Sequence, residues 1–432
     1  MKQQNINASL YFLLAISLVF QASCTKDYTN PSAVPADKAF SSPQAMTGVA
    51  IGLQRLYTAG RASSLYNRVT MDGLLTYQDT VLNQGNTSEY QLQQGGGAVD
   101  GTNTILGGLW TSSNKIIFDA DHILASAEQL GDKNYASGLI GYTTIFKALA
   151  LGDLAMFWEK VPASNGQNVN FIDRKEGFNN AIAAIDKALA AISANAISAS
   201  FLSTLPGGID IVNTLHALKA RYSLFTGNYS QALAEANAVD ITKTSSFNFT
   251  TVNLNPIFET ATSTNNVYAV RDVNALGLPT GLQPDPADKR LPFYTTNAYA
   301  SKIAGFAAAS ITPFPIYLPG EITLIKAEAY ARQSTPDLTS ALTELNKVVT
   351  KTPASDPFGV GAALPPIVGP LTQAQILDLI YKHRSIELFM SGLRLEDMRR
   401  FNRPNSERKR NFLPYPFLER DNNPNTPPDP AF

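Results

Sequence analysis

Cysteine and histidine are scarce in this sequence. The 432 residues include one cysteine, Cys24, so the chain can form no internal disulfide bond. The three histidines, His122, His216 and His383, are far apart and none belongs to a metal-binding motif such as His-Glu-x-x-His. We therefore expect neither zinc chemistry nor any other metal or cofactor.

Charge is also low and balanced. Charged residues make up 16% of the chain, with 34 Lys and Arg against 35 Asp and Glu. A protein that binds nucleic acid needs a net basic surface to neutralise phosphates, so a nucleic-acid partner is not expected. A polar surface of low charge is typical of extracytoplasmic proteins that bind neutral ligands through hydrogen bonds and aromatic stacking.

Motifs for covalent catalysis and phosphate binding are missing as well. The sequence has no Gly-x-Ser-x-Gly elbow, and Gly95-Gly96-Gly97 lacks the lysine and helix of a phosphate-binding loop. A glycoside hydrolase would need two carboxylates across a cleft, and the spacing of candidates does not show that any two converge. The candidates are Asp79, Glu89, Asp100, Asp272 and Asp285. Hydrolysis is the less favoured alternative, and no catalytic residue is assigned.

The N-terminus has the features of a lipoprotein signal peptide. Lys2 precedes an apolar run at residues 8–20, and Ala22 and Ser23 lead directly to Cys24. The run is shorter than the roughly 20 residues that span a bilayer. We predict a signal peptide at residues 1–23, lipid attachment at Cys24 and a tether at residues 24–40, because residues 25–36 are polar and contain proline.

Most of the remaining chain has helical periodicity. Apolar residues recur at helical spacing through nine segments, many of them joined as hairpins. The predicted helices are 42–57, 109–130, 135–157, 174–194, 212–225, 229–239, 319–332, 338–349 and 373–401. The segment from His216 to Val239, with Gly-Asn-Tyr at its turn, resembles a tetratricopeptide-like unit. We therefore predict an all-α domain at residues 41–432, a scaffold of helical hairpins.

Two long tracts lack a sustained period and are predicted to be ligand-binding loops. They are residues 67–101 and 241–311, and within the second tract residues 267–271 suggest a short strand. Tyrosine rings stack on sugar rings, while amide and guanidinium groups bond hydroxyls. On that chemistry the candidate ligand-binding residues are Tyr77, Gln78, Asn83, Asn86, Tyr90, Arg271, Tyr294 and Tyr299.

The late segment HRSIELFMSGLRLEDMRRFNRP, residues 383–404, carries a specific resemblance. It resembles the Arg-x-x-Glu-Leu and Gly-x-Arg-x-x-Asp-x-x-Arg signature of the SusD/RagB family of outer-membrane nutrient-binding lipoproteins. The matching residues are Arg384, Glu387, Gly392, Arg394, Asp397 and Arg400. The spacing predicts that Arg384 pairs with Glu387, and Arg394 with Asp397, on one helix face. We expect these charges to hold the scaffold together rather than to contact ligand.

Other segments resemble the same family in the same order along the chain. They include LWTSSNKIIFDADHIL, FKALALGDLAMFWEKVP, PADKRLPFY, FPIYLPGEITLIKAEAYAR and FLPYPFLERDNNPNTP. The resemblance implies a helical scaffold with four tetratricopeptide-like units and an irregular ligand-binding side. It also implies a lipid anchor on the outer face of the outer membrane and a SusC-like TonB-dependent transporter as partner. The ligand would be an oligosaccharide or, as in the RagB branch, a peptide, and the protein would not be an enzyme.

Overall fold

The computed structural model of the chain describes residue 40, residues 42–263 and residues 266–432. The predicted signal peptide, Cys24 and nearly all of the predicted tether lie outside the described residues. The described part is mostly helical, in agreement with the predicted all-α class. Its few strands are two or three residues long.

The helices are numbered here in chain order. They are α1 (Pro43–Thr58), α2 (Ser64–Leu75), α3 (Thr87–Gln94), α4 (Thr104–Ala127), α5 (Lys133–Phe157), α6 (Arg174–Ala194), α7 (Ala199–Leu202), α8 (Ile211–Thr226), α9 (Tyr229–Ala238), α10 (Pro256–Phe258), α11 (Arg290–Tyr294), α12 (Pro319–Arg332), α13 (Leu338–Thr350), α14 (Gln373–Glu387), α15 (Arg394–Arg400) and α16 (Phe417–Asn422). Short 3-10 turns and one π turn, Glu259–Ser263, occur between them.

The strands form three antiparallel pairs. They are β1 (Asp79–Val81), β2 (Lys160–Pro162), β3 (Phe171–Asp173), β4 (Ser246–Phe247), β5 (Tyr268–Val270) and β6 (Phe314–Pro315). β2 pairs with β3 as a local hairpin, whereas β1 pairs with β5 and β4 with β6 across long stretches of chain. The β1–β5 pair joins the two tracts that the sequence marks as irregular.

Side-chain caps fix where many helices begin. Asn103, Asp132 and Asp210 each accept a hydrogen bond from a backbone N–H in the first turn of α4, α5 and α8. At the other end of α8, Gly227 adopts the left-handed conformation with φ 84°, which a glycine tolerates best. This cap turns the chain directly into α9 and forms the predicted tetratricopeptide-like hairpin.

Helical hairpins stack into one continuous scaffold. α4 packs against α5, α5 against α6, α8 against α9, and α12 against α13. A large apolar core runs through most of the described chain, and a second cluster around Leu324, Leu345 and Ile380 fills the space between α12, α13 and α14. Among the described residues, α5 is the one helix long and apolar enough to cross a membrane, and most of it is buried in the core, as in soluble proteins.

The predicted loop tract at residues 67–101 is wrong in two places. α2 extends through residue 75, and α3 forms at residues 87–94. All twelve residues of α2 are buried, so the helix has no solvent-exposed face, and its polar residues do not gather on one side as they do in a surface helix. The other tract, 241–311, has only short elements, and β5 lies within the predicted strand at residues 267–271.

The predicted helix at residues 373–401 is also wrong, because it is broken between α14 and α15. Met390 and Gly392 both have positive φ, 59° and 73°, in this break. A Cβ on Gly392 would lie 2.9 Å from Cγ of Arg68, so the glycine lets the two segments approach closely. The turn redirects the chain and separates the two halves of the signature.

The break changes the partners of the signature charges. Glu387 accepts hydrogen bonds from Arg290 and Lys351, and not from Arg384. Arg394 donates to the backbone carbonyls of Leu276 and Gly277, and not to Asp397. Both predicted ion pairs are therefore wrong, although all these side chains are buried within the scaffold, as the sequence analysis expects.

Candidate ligand-binding site

Two cavities share Tyr77 and Arg271 as lining residues. Cavity A has a volume of about 310 Å³, and its lining includes Tyr77, Asp79, Tyr90, Gln94, Arg271 and Lys409. Cavity B has a volume of about 310 Å³ and extends over the segment from Arg271 to Gln283. The lining comes from both tracts that the sequence predicts to bind ligand.

The β1–β5 pair holds the two tracts together at this place. The backbone N–H of Arg271, just after β5, donates to the carbonyl oxygen of Gln78 at 2.9 Å. Gln78 in turn donates its backbone N–H to the carbonyl oxygen of Gly73 in α2, also at 2.9 Å. Tyr77 and Arg271 are thus fixed by ladder hydrogen bonds and by the end of a buried helix.

Tyr77 stands between the cavities in an uncommon backbone conformation. Its φ is 61°, in the left-handed region that non-glycine residues rarely adopt, and such strain is typical of functional sites. Its half-buried ring has two cations nearby: Arg271 Cζ lies 4.6 Å and Lys409 Nζ 4.5 Å from the ring centroid. The ring and the two cations form a polar-aromatic platform at the cavity walls.

The signature residue Arg394 binds the backbone segment that packs against Tyr77. Its guanidinium donates to the carbonyl oxygens of Leu276 at 2.6 Å and Gly277 at 3.1 Å. Gly277 has φ 70°, and a Cβ there would lie 2.3 Å from the carbonyl oxygen of Tyr77. Arg394 therefore acts as a positioning residue, because it holds Gly277 against the backbone of Tyr77.

Asp79 is a buried carboxyl group beside cavity A. Neither of its carboxylate oxygens has a hydrogen-bond partner among the described residues. A Cβ on Gly73 would lie 2.0 Å from Asp79 Oδ2, so the glycine makes room for the group. Burial, reinforced by the charge of Asp72, raises the pKa of Asp79 well above its usual value. Burial therefore disfavours the negatively charged form of this side chain.

Two of the predicted ligand-binding residues belong to the scaffold instead. Gln78 is buried, and its amide bonds Asp72, Thr76 and the backbone N–H of Met390. Tyr294 is buried and donates its hydroxyl to the carbonyl oxygen of Glu387. Neither side chain is available to a ligand, so these two predictions are wrong. Their polar groups form hydrogen bonds inside the protein. The sequence alone does not show whether a polar side chain is buried in this way or exposed to a ligand.

Three other predicted residues do not line cavity A or cavity B. Asn83 and Asn86 lie in the turn before α3, where Asn86 donates to the carbonyl oxygen of Asn83 and accepts from Arg61. Tyr299 is 42% exposed and packs edge-on against Phe258. Of the eight predicted residues, the two cavities bring together Tyr77, Tyr90 and Arg271.

The sequence analysis missed Lys409 and Gln94. Lys409 lies in the charged run Glu407-Arg408-Lys409-Arg410, and nothing in that run sets it apart from its neighbours. Gln94 is the last residue of α3 and belongs to the amide-rich stretch Gln91–Gln94. Amide side chains are among the residue types by which the sequence analysis chose ligand-binding candidates. The composition could have indicated Gln94, but only the fold places Lys409 next to Tyr77.

The five carboxylates considered for hydrolysis do not form a pair across one cleft. Asp79 lines cavity A and Asp272 lines cavity B. The other three accept hydrogen bonds from nearby groups: Glu89 from Tyr66, Asp100 from Thr102 and Asp285 from the backbone of Ala287. In the part of the chain that the structure describes, no group of three His, Cys, Asp or Glu residues is placed to hold a metal ion.

A larger cavity, cavity C, lies between α4, α5, α6 and the β2–β3 hairpin. Its volume is about 590 Å³, and aliphatic side chains such as Ile117 and Leu151 form much of its wall. The ion pair between Asp121 and Lys147 closes part of it at 2.5 Å. No aromatic ring lines cavity C, so it lacks the stacking surface that sugar binding uses. Cavities A and B are the better candidates for a ligand site.

Comparisons with known proteins give a clear result for the fold. No family model matches the sequence, and no curated protein matches it. Solved structures do match. A SusD superfamily protein from Parabacteroides distasonis aligns with a TM-score of 0.68 and 14% identity, covering 91% of this chain and 99% of that one.

Two further structures are described by what they bind. A SusD-like carbohydrate-binding protein from Bacteroides vulgatus has a TM-score of 0.63 and 14% identity, covering 84% of this chain and 83% of its own. A laminarin-binding SusD-like protein has a TM-score of 0.60 and 15% identity, covering 91% and 99%. The alignments extend over nearly the whole described part, and the chain therefore has the fold of the SusD superfamily structures.

Proposed function

We propose that the chain is a cell-surface glycan-binding lipoprotein that captures oligosaccharides and delivers them to a SusC-like TonB-dependent outer-membrane transporter. The observation that carries the proposal is the Tyr77 platform. A half-buried ring, a guanidinium group and a free amide at Gln94 surround one cavity. Stacking on a sugar face and hydrogen bonds to hydroxyls need these groups in this proximity.

The fold supports the same function. Two of the structures that the chain resembles are described as binding carbohydrate or laminarin. The binding groups of this chain lie where its two irregular tracts meet, on a scaffold held by buried ion pairs. A rigid scaffold with a site on its loops is a common arrangement in binding proteins.

The N-terminal sequence and the resemblance support the location and the partner that we propose. Lipid attachment at Cys24 would anchor the protein in the outer membrane, facing the cell exterior, because several acyl chains on one cysteine give stable membrane binding. The tether would leave the helical domain free to meet a transporter. Peptide capture, as in RagB-like proteins, and glycoside hydrolysis are the rival functions.

The test is calorimetric titration of the chain from Thr25 to Phe432, which retains every described residue, against panels of oligosaccharides and peptides. Reducing ends are assayed in the same tubes. Saturable binding to a glycan without new reducing ends is expected. Y77A should weaken binding roughly tenfold or more through loss of the stacking surface, whereas Y77F should keep most of the affinity.

Tyr299 provides the matched control. It is an exposed tyrosine of the second tract that lines neither cavity A nor cavity B, so Y299A should leave the affinity unchanged. Equal losses in Y77A and Y299A would argue against this site. Binding of peptides alone would favour the RagB-like function, and release of reducing ends would favour hydrolysis.

A further inference from the structure

Cavity A contains two positive charges without a carboxylate partner. Among the residues that the structure describes, neither Arg271 nor Lys409 forms an ion pair. Several buried arginines elsewhere in the chain do have a carboxylate partner, as Arg221 has Glu321 and Arg290 has Asp288. The charges at cavity A are therefore available to an anionic group from outside the protein.

The wall of cavity A has one carboxyl group. This group, Asp79, is buried and unpartnered, and burial, reinforced by the charge of Asp72, raises its pKa well above the usual value. The carboxylates of cavity B are already engaged. Asp272 accepts the N–H groups of Asn274 and Ala275, and Glu407 pairs with Arg403. The wall of cavity A therefore has two cationic side chains, Arg271 and Lys409, and one buried carboxyl group.

Hydrogen bonds hold the backbone of both cationic residues in place. The N–H of Lys409 donates to the carbonyl oxygen of Leu75 at 2.7 Å, and its own carbonyl accepts from Gly96 at 3.1 Å. Gly95 lies so close that a Cβ there would be 2.5 Å from Cβ of Lys409. Arg271 is fixed by its hydrogen bond to Gln78. A backbone fixed in this way lowers the conformational cost of placing the two cationic side chains against a ligand.

We propose that cavity A selects acidic oligosaccharides, with Arg271 and Lys409 binding a carboxylate or sulfate group of a sugar whose ring contacts Tyr77. This inference rests on the proposed function and names its substrate class. A neutral glycan could contact the Tyr77 ring but would leave both cations without a counter-charge. An acidic sugar satisfies all three side chains at once.

The test uses pairs of ligands that have the same sugar backbone and differ in charge. Oligogalacturonates are compared with their methyl esters, and sulfated laminarin with laminarin, by calorimetric titration of the chain from Thr25 to Phe432. The acidic member of at least one pair should bind about tenfold more tightly at low salt, and the difference should shrink as salt is raised. The two pairs distinguish a carboxylate from a sulfate.

Charge-removing variants locate the effect. R271Q and K409Q retain hydrogen-bonding groups but lose the charge, so they should lower affinity for the acidic ligand several-fold more than affinity for its neutral partner. K187Q is the matched control, because Lys187 is an exposed lysine that lines cavity C. It should change neither affinity.

The outcomes separate this inference from the proposed function. Equal or tighter binding of the neutral members would overturn the acidic selectivity and leave glycan capture standing. The inference would also be overturned if R271Q and K409Q did not reduce the preference for the acidic ligand. The acidic group would then bind at another place on the protein. Binding of peptides alone, or of no glycan, would reject the proposed function and this inference with it.

Discussion

Arg384 and Asp397 form a bidentate ion pair across the break between α14 and α15. Arg384 Nε and Nη2 each donate to one carboxylate oxygen of Asp397 at 3.0 Å, and both side chains are almost fully buried. Arg400 adds a third hydrogen bond to Asp397 at 2.8 Å. Although burial opposes ionisation, Arg384 and Arg400 hold the pKa of Asp397 below its usual value. The pair joins two helices that the turn at Gly392 separates.

Replacing Asp397 by asparagine should strongly destabilise the fold. D397N keeps the shape of the side chain but leaves two buried guanidinium groups short of negative charge, which typically costs about 3–5 kcal/mol. Urea unfolding at neutral pH measures the change in the free energy of unfolding. The control is D119N, at the exposed Lys115–Asp119 pair, where about 0.5 kcal/mol or less is expected. Similar losses in both variants would contradict the structural role of Asp397.

The hairpin helices were predictable because apolar residues recur at helical spacing along the side that packs on the core. α13 begins at its predicted start, because one face of this helix meets the core and the other meets water. α2 was missed for the opposite reason, because burial on all sides removes the pattern. The break at Met390–Gly392 was missed because a positive φ at a methionine has no sequence signal.

The ligand site was predictable in chemistry but not in geometry. Tyr77 and Arg271 were chosen for what their side chains can bind, and the β1–β5 pair brings them together. The same criterion chose Gln78, whose amide is fully used inside the fold. Lys409 comes from the far end of the chain, and only the tertiary structure shows that it reaches Tyr77.

His383 should make the protein sensitive to mild acid. Burial, reinforced by the charge of Arg290, lowers the pKa of His383 well below its usual 6.5, and its Nδ1 lies 2.9 Å from Arg290 Nη2. Below about pH 6.5 the unfolded chain binds a proton that the folded chain does not. The contribution of the neutral His383 to the free energy of unfolding is therefore complete above that pH. It decreases as the pH drops, by up to about 1.4 kcal/mol per pH unit.

The measurement compares H383Q with the unmodified chain, because glutamine can still accept a hydrogen bond from Arg290. Between pH 7.5 and pH 5 the unmodified chain should lose about 2 kcal/mol more than H383Q in urea unfolding. H122Q, at an exposed histidine, is the matched control. Parallel pH profiles for H383Q and the unmodified chain would show that His383 does not cause the acid sensitivity.

Cys24 should decide where the protein is located in the cell. With Cys24 intact, mass spectrometry of the N-terminal peptide should show an acyl-modified cysteine, and fractionation should place the chain in the outer membrane. C24S removes the thiol that accepts the lipid, so the variant should leave the outer-membrane fraction. Retention of C24S in that fraction at the level of the unmodified chain would contradict lipid anchoring.

Gly277 should be required for ligand binding rather than for folding alone. Alanine at Gly277 would place its Cβ 2.3 Å from the carbonyl oxygen of Tyr77, so the Tyr77 backbone must move. Because Arg394 holds the Gly277 carbonyl from the other side, the alanine has little room to retreat. We expect G277A to lower glycan affinity about tenfold or more, since small displacements at a binding platform are costly.

Gly281 separates this effect from backbone strain. It also has a positive φ, 92°, but a Cβ there would meet nothing within 4 Å. G281A, like G277A, should therefore lose about 1 kcal/mol of folding stability, because a non-glycine residue is strained in this conformation. Unlike G277A, it should keep its ligand affinity. Both variants are titrated well below their unfolding temperatures, so that a loss of stability does not reduce the folded fraction. If G281A loses as much affinity as G277A, strain in the loop explains the effect, and the contact between Gly277 and Tyr77 does not position the ring.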